Sequence, residues 1–168
     1  LVERPCDRGD PLRVGAVDAV AVDEAFDGHH ARVAVDSAPE QVVEQAFAQR
    51  AIGDAHVIRN AGGRATDDAV RSLLISSWLL GTREFLVIHH TDCGMAKFTD
   101  EAVAEIIAER CGEDVSELDF LTFRDLDQSV RDDVDRIRSL SQIPADATVS
   151  GHVYDVRTGT LREVVPAG

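Results

Sequence analysis

Little in this chain could cross-link it, anchor it in a bilayer or fasten it to nucleic acid. Its 168 residues hold only three cysteines, Cys6, Cys93 and Cys111. An odd number at scattered positions gives no disulfide framework and suits a reducing cytoplasm, the expected location. Basic residues are scarce, 17 against 31 acids, and the formal net charge of −14 repels a phosphate backbone and an anionic membrane surface alike. Neither nucleic acid nor a membrane is an expected partner. A small anion is not excluded, but it needs a local basic pocket. No apolar run approaches the length of a membrane span, and the first ten residues, LVERPCDRGD, are too charged for the core of a signal peptide.

What is present suffices for a single domain over residues 1–168. Hydrophobic residues make up 44% and charged residues 29%, ordinary for a globular protein, and a chain of this length buries roughly two-thirds of its unfolded surface without disulfides. Residues 1–11 set Pro5, Gly9 and Pro11 among charges and read as irregular. With the stretch 13–26, a short helix or, given its β-branched content, a strand, they form an N-terminal arm over 1–30 that can pack on a partner subunit.

From residue 31 the punctuation is regular. ARVAVD (31–36) predicts a strand, and Pro39 opens a helix carrying Val42, Val43, Ala46 and Phe47 on one face. AHVIRN (55–60) predicts a second strand, closed by Ala61, Gly62 and Gly63. Thr66 followed by Asp67 and Asp68 starts a helix that runs to Leu80. That helix is so apolar that it must be largely buried or lie in a subunit interface, with Trp78 a core residue. Gly81 stops it. EFLVIHH (84–90) is continuous enough for a central parallel strand, with Phe85 in the core. Helices follow over 99–110 and 127–140, the latter with Val130, Val134 and Ile137 on one face, and a strand with a hairpin return ends the chain. Successive βα steps predict an α/β fold with right-handed crossovers.

The stretch EFLVIHHTDCGMAKF (84–98) holds the chemistry. An imidazole and a thiolate three residues apart, His90 and Cys93, can both reach one metal ion after a strand, but zinc favours four ligands and two are a fragment. Taken alone, a histidine at a strand end is more often hydrogen-bonded in a core, and a lone cysteine is more often a small buried hydrophobe.

GDAHVIRNAGG, TDDAVRSLLIS, LGTREFLVIHHTDCGM and GHVYDVRTGTL together resemble the β-class carbonic anhydrases, especially the smaller bacterial ones. The resemblance covers residues 31–100 and the terminal hairpin. It implies four parallel strands with an additional edge strand, flanked by helices, and homodimers or higher homo-oligomers with active sites at the subunit interface. It also implies zinc, held by a Cys-x-Asp-x-Arg motif and by His-x-x-Cys. The second motif is His90 and Cys93. The first falls on AVDSA (34–38), where Asp36 matches but Ala34 and Ala38 stand in place of the cysteine and the arginine.

Three readings stay open. Asp36, freed from its arginine, can serve as ligand and catalytic carboxylate beside His90, Cys93 and a bound water, giving a zinc-dependent lyase or hydrolase acting on CO2 or a related small electrophile. Ordinary carbonic anhydrase activity is then expected to be weak or absent. Alternatively no metal binds, and Arg59 and Arg64 with the backbone of Gly62, Gly63 and Gly94 hold a small anion in a non-catalytic protein. The same two arginines also fit surface or interface ion pairs. Last, Cys93 is a nucleophilic thiolate activated by His90 or Asp36. Cys6 could supply a ligand across a dimer interface, whereas His29 and His30 lie at the far end of the first strand, about 15 Å from Asp36. Asp92 reads as a turn former or a proton shuttle, Met95 and Phe98 as the mouth of the pocket, and His152 and Tyr154 as ligand contacts or packing.

Overall fold

The protein is described here by a computed structural model that covers residues 32–36, by their backbone, and residues 55–168. The expected arm, the helix opened by Pro39, Cys6, His29, His30, Ala38 and the side chains of Ala34 and Asp36 lie outside the described residues.

Among the described residues five strands form one sheet: β1 (Arg32–Asp36), β2 (Ala55–Arg59), β3 (Glu84–His90), β4 (Thr148–Asp155) and β5 (Thr160–Val165). Their spatial order is β2-β1-β3-β4-β5, the first four parallel and β5 antiparallel at the edge. This is the α/β arrangement with an added edge strand that the sequence predicts. β3 is central, and its residues Phe85 to His89 are all buried, as a continuous apolar run requires of a strand covered on both faces.

Among the described residues three helices accompany the sheet, α1 (Asp67–Leu79), α2 (Asp100–Cys111) and α3 (Leu126–Arg138). Thr66 caps α1, its hydroxyl accepting from the Ala69 amide at 3.2 Å, with Asp67 and Asp68 in the first turn. Gly81 leaves the helix at φ 76°, a left-handed conformation natural to glycine past a C-terminus. α3 turns a stripe of Ser129, Val130, Asp133, Val134 and Ile137 inward. It rides close on β4 because Gly151 has no side chain there: a Cβ would stand 2.5 Å from Val130 Cγ1 and 2.9 Å from Val134 Cγ2. Val130, Val134 and Ile137 pack with Ala69 and Leu73 of α1, Phe85 and Val87 of β3, and Val149 and Val153 of β4 to form the core.

Trp78 is not a core residue. It is 63% exposed, beside Ile75 and Leu79 on the same side of α1, and its indole Nε1 donates to the Gln142 carbonyl at 2.8 Å. α1 has apolar residues on more than one face, and the face it buries is made of Ala69, Leu73, Ser76 and Ser77.

Candidate metal centre

The centre forms where β3 runs out. Past His90 the chain turns through Thr91 and Asp92, the latter at φ 58°, a left-handed conformation that aspartate tolerates better than most residues. The Thr91 amide donates to Tyr154 O of β4 at 2.8 Å, which ties the turn to the sheet. Cys93 then precedes a single 3-10 turn, Gly94–Ala96.

His90 Nδ1 donates to Thr91 O at 2.8 Å. That bond orients the ring, as the outer hydrogen bond of a metal-ligating imidazole usually does. Cys93 is 5% exposed. Burial pushes its thiol up, but hydrogen bonding with His90 and with the amides of Met95 and Ala96 outweighs this and holds it below its ordinary value. The sequence thus places an imidazole nitrogen and an anion-stabilised sulfur together, as the His-x-x-Cys spacing predicts. Asp92 is largely exposed and paired with Lys97 Nζ at 2.7 Å; the hydrogen bond and charge of that lysine lower its carboxyl.

Asp36 closes β1. Its backbone is in register with Arg59 of β2 and Ile88 of β3, two residues or about 6.6 Å along the strand from His90. Ala34 pairs with Val57 and Leu86. Gly62 and Gly63, buried at φ 78° and 67° in a one-turn loop after β2, do stand against the Cys93 turn: a Cβ on Gly62 would lie 3.3 Å from Met95 Cγ, Phe123 Cε1 and Arg64 Cγ. Gly94 is exposed and Arg59 half-buried. Arg64 points inward. Its Nε donates to Asp133 Oδ2 at 2.8 Å and its Nη1 to Leu121 O at 2.8 Å. Met95 is half-buried and Phe98 exposed. On β4, Tyr154 is buried beside His90. His152 has its Nε2 3.0 Å from Ser150 Oγ, and burial lowers its pKa.

Sequence reasoning missed the layer beneath His90 and Cys93. His89 is fully buried, its Nε2 donating to Gly63 O at 3.1 Å and facing Asp133 Oδ2 at 3.2 Å, its Nδ1 2.8 Å from Ser129 Oγ. The signal was available as an acid, Asp133, inside the inward stripe of α3.

The donors suit zinc as far as they are described. An imidazole anchored through Nδ1 and a thiol held below its ordinary value are donors of the kind that ion takes. Among the described residues no group of three or more His, Cys, Asp or Glu side chains could hold a metal ion.

No protein-family model matches the chain. A curated relative, β-carbonic anhydrase 1 of Mycobacterium tuberculosis, is 44% identical over 114 residues, 68% of this chain and 69% of its own. The carbon disulfide hydrolase of Saccharolobus solfataricus is 36% identical over 148 residues, covering 71% and 72% of the two chains. Among solved structures, the carbonic anhydrase of Streptococcus mutans superimposes with a TM-score of 0.74 at 44% identity, over 79% of this chain and 80% of that one.

Proposed function

The chain belongs to the β-carbonic anhydrase family, and from that premise we propose that it is a zinc-dependent lyase or hydrolase with an altered ligand set. Zinc would be held by His90, Cys93 and Asp36, with one position left for water. The observation that carries this reading is the His90–Cys93 pair itself, with Nδ1 committed to Thr91 O and the thiol held below its usual value. When bound, zinc supplies Lewis-acid activation of water. His90 supplies a fixed neutral nitrogen, and Cys93 a negative charge in a buried setting. Asp36 replaces the charge lost with Ala34, and lacks the arginine that Ala38 replaces.

The substrate class is a small electrophilic carbon. Relatives named carbonic anhydrase and carbon disulfide hydrolase support it. A carboxylate in place of a thiolate gives less charge to the metal and frees no arginine to order the site, so ordinary carbonic anhydrase activity is weak or absent. The chain works as one domain in a cytoplasmic homodimer or higher homo-oligomer.

Metal analysis after mild purification tests this. About one zinc per chain, lost in Cys93→Ser and weakened about tenfold in Asp36→Ala, is the expected result. No zinc in protein given excess zinc overturns it; bicarbonate binding to that metal-free protein would then favour a non-catalytic anion pocket. Ala34→Cys with Ala38→Arg should raise CO2 hydration by about tenfold or more.

A further inference from the structure

Phe123 lies in the connection between α2 and α3, residues 112–125, and touches the end of β3, the turn after Cys93 and the glycine loop. Its ring stacks on that of His89, next to the ligand His90, with centroids 5.5 Å apart and planes at 24°. Its amide donates to Met95 O at 3.2 Å, inside the turn that follows Cys93. Its Cε1 stands 3.3 Å from where a Gly62 Cβ would be, so the ring also bears on the glycine loop.

Two clamps hold the connection. Arg64 lies over the ring, its guanidinium carbon 5.9 Å from the centroid, and donates to Leu121 O while paired with buried Asp133. Asp100, at the start of α2, accepts from the Phe120 amide at 2.8 Å, the Thr122 amide at 3.0 Å and the Thr122 hydroxyl. Between them Leu121 is forced to φ 57°, a region that a residue with a side chain enters only against steric resistance. A connection that merely joined two helices would need no such restraint; strain held this firmly points to something being placed.

We propose that Phe123 is a positioning residue for the His90–Cys93 centre, held in place by the Arg64–Asp133 and Asp100 clamps. The proposal rests on the reading of His90 and Cys93 as ligands. Its physical basis is the brevity of the Cys93 turn. Its other bonds are local, Ala96 N to Cys93 O at 3.2 Å, Lys97 N to Gly94 O at 3.0 Å, the Asp92–Lys97 pair, and the Met95 and Ala96 amides on the thiol. Groups one layer out from a metal typically change its affinity by about 10–100-fold.

Two readouts in the full-length chain test it: zinc affinity by competition with a chromogenic chelator, and the rate at which iodoacetamide alkylates Cys93 in zinc-free protein. Peptide mapping separates Cys93 from Cys6 and Cys111. Phe123→Ala and Asp100→Ala are compared with Ile137→Ala, which opens the core away from the centre. Asp100→Ala removes a partly exposed clamp without cutting into the core, so it remains readable where Phe123→Ala fails to fold. Alkylation about tenfold faster and zinc about tenfold weaker in Asp100→Ala, with both unchanged in Ile137→Ala, is expected. Alkylation less than fivefold faster in Asp100→Ala, or equally faster in Ile137→Ala, overturns it. Should the parent protein bind no zinc, the proposed function fails, while the alkylation rates still decide this inference.

Discussion

Asp133 is 3% exposed, and a carboxylate that deep survives only with partners. It has Arg64 at 2.8 Å and His89 at 3.2 Å. Burial pushes its pKa up, but the hydrogen bonds and charges of His89 and Arg64 outweigh this and leave it below the ordinary value of 3.8. As pH falls, the unfolded chain therefore takes up its proton first. The stabilisation is full above the unfolded value and disappears as pH falls through the lower folded one. Asp133→Asn should lose about 3–5 kcal/mol at neutral pH, because Arg64, largely buried, is left without its counter-charge, and should show a shallower loss of stability in acid. Urea melts of both proteins between pH 7 and about pH 3 check this; an unchanged acid slope in Asp133→Asn would remove Asp133 from the account. The contrast with His90 and Cys93 says what can be read at this scale. Their proximity was legible because strand end and turn are contiguous, so three residues of chain bring the two side chains together. Asp133 sits in RDDVD among other acids; its place in the inward stripe of α3 sets it apart, but its partners, Arg64 69 positions away and His89, are not adjacent in the chain.

At the scale of elements, the strands were legible because β-branched runs bounded by Gly and Pro mean the same thing in any context, and α3 because its stripe has helical spacing. α1 was legible as a helix but not in its orientation. Its apolar residues surround it, and Trp78 faces out since Ala69, Leu73, Ser76 and Ser77 are the residues that meet the sheet. The connection 112–125 has no period to read, and its path is set by Asp100 and Arg64 from other elements. The contact of α3 with β4 gives the sharpest expectation here. A methyl on Gly151 would meet two fully buried valines at 2.5 Å and 2.9 Å, and a valine is too short to swing aside. Gly151→Ala should therefore cost about 1–3 kcal/mol, and Val130→Ala introduced with it should recover part of that by making room. Urea midpoints of the parent, the single and the double variant measure both effects. A Gly151→Ala protein as stable as the parent would show that α3 can move off the sheet freely, contrary to the tight core described for Val130 and Val134.

For the whole molecule two features oppose each other. The chain carries a formal charge of −14, which keeps copies apart, while α1 exposes Ile75, Trp78 and Leu79 side by side, which favours bringing apolar surface together. If the homo-oligomer proposed above uses this face, like charges meet around an apolar patch, and the balance depends on ionic strength. Salt at about 0.01 M leaves charge felt over about 30 Å, whereas about 0.15 M confines it to about 8 Å. Added salt screens the repulsion without weakening the apolar contact, so association should tighten between those two concentrations. An interface built on ion pairs would loosen over the same range. Trp78→Asp with Leu79→Asp should produce a monomer at both concentrations, since each substitution puts a charge into the patch and removes a large apolar side chain. Both residues are more than half exposed in one chain, so the fold has little reason to suffer, and an unchanged urea midpoint would confirm that. Sedimentation velocity across the salt series decides the matter: a parent that is monomeric throughout, or that dissociates as salt rises, removes this face of α1 from the assembly.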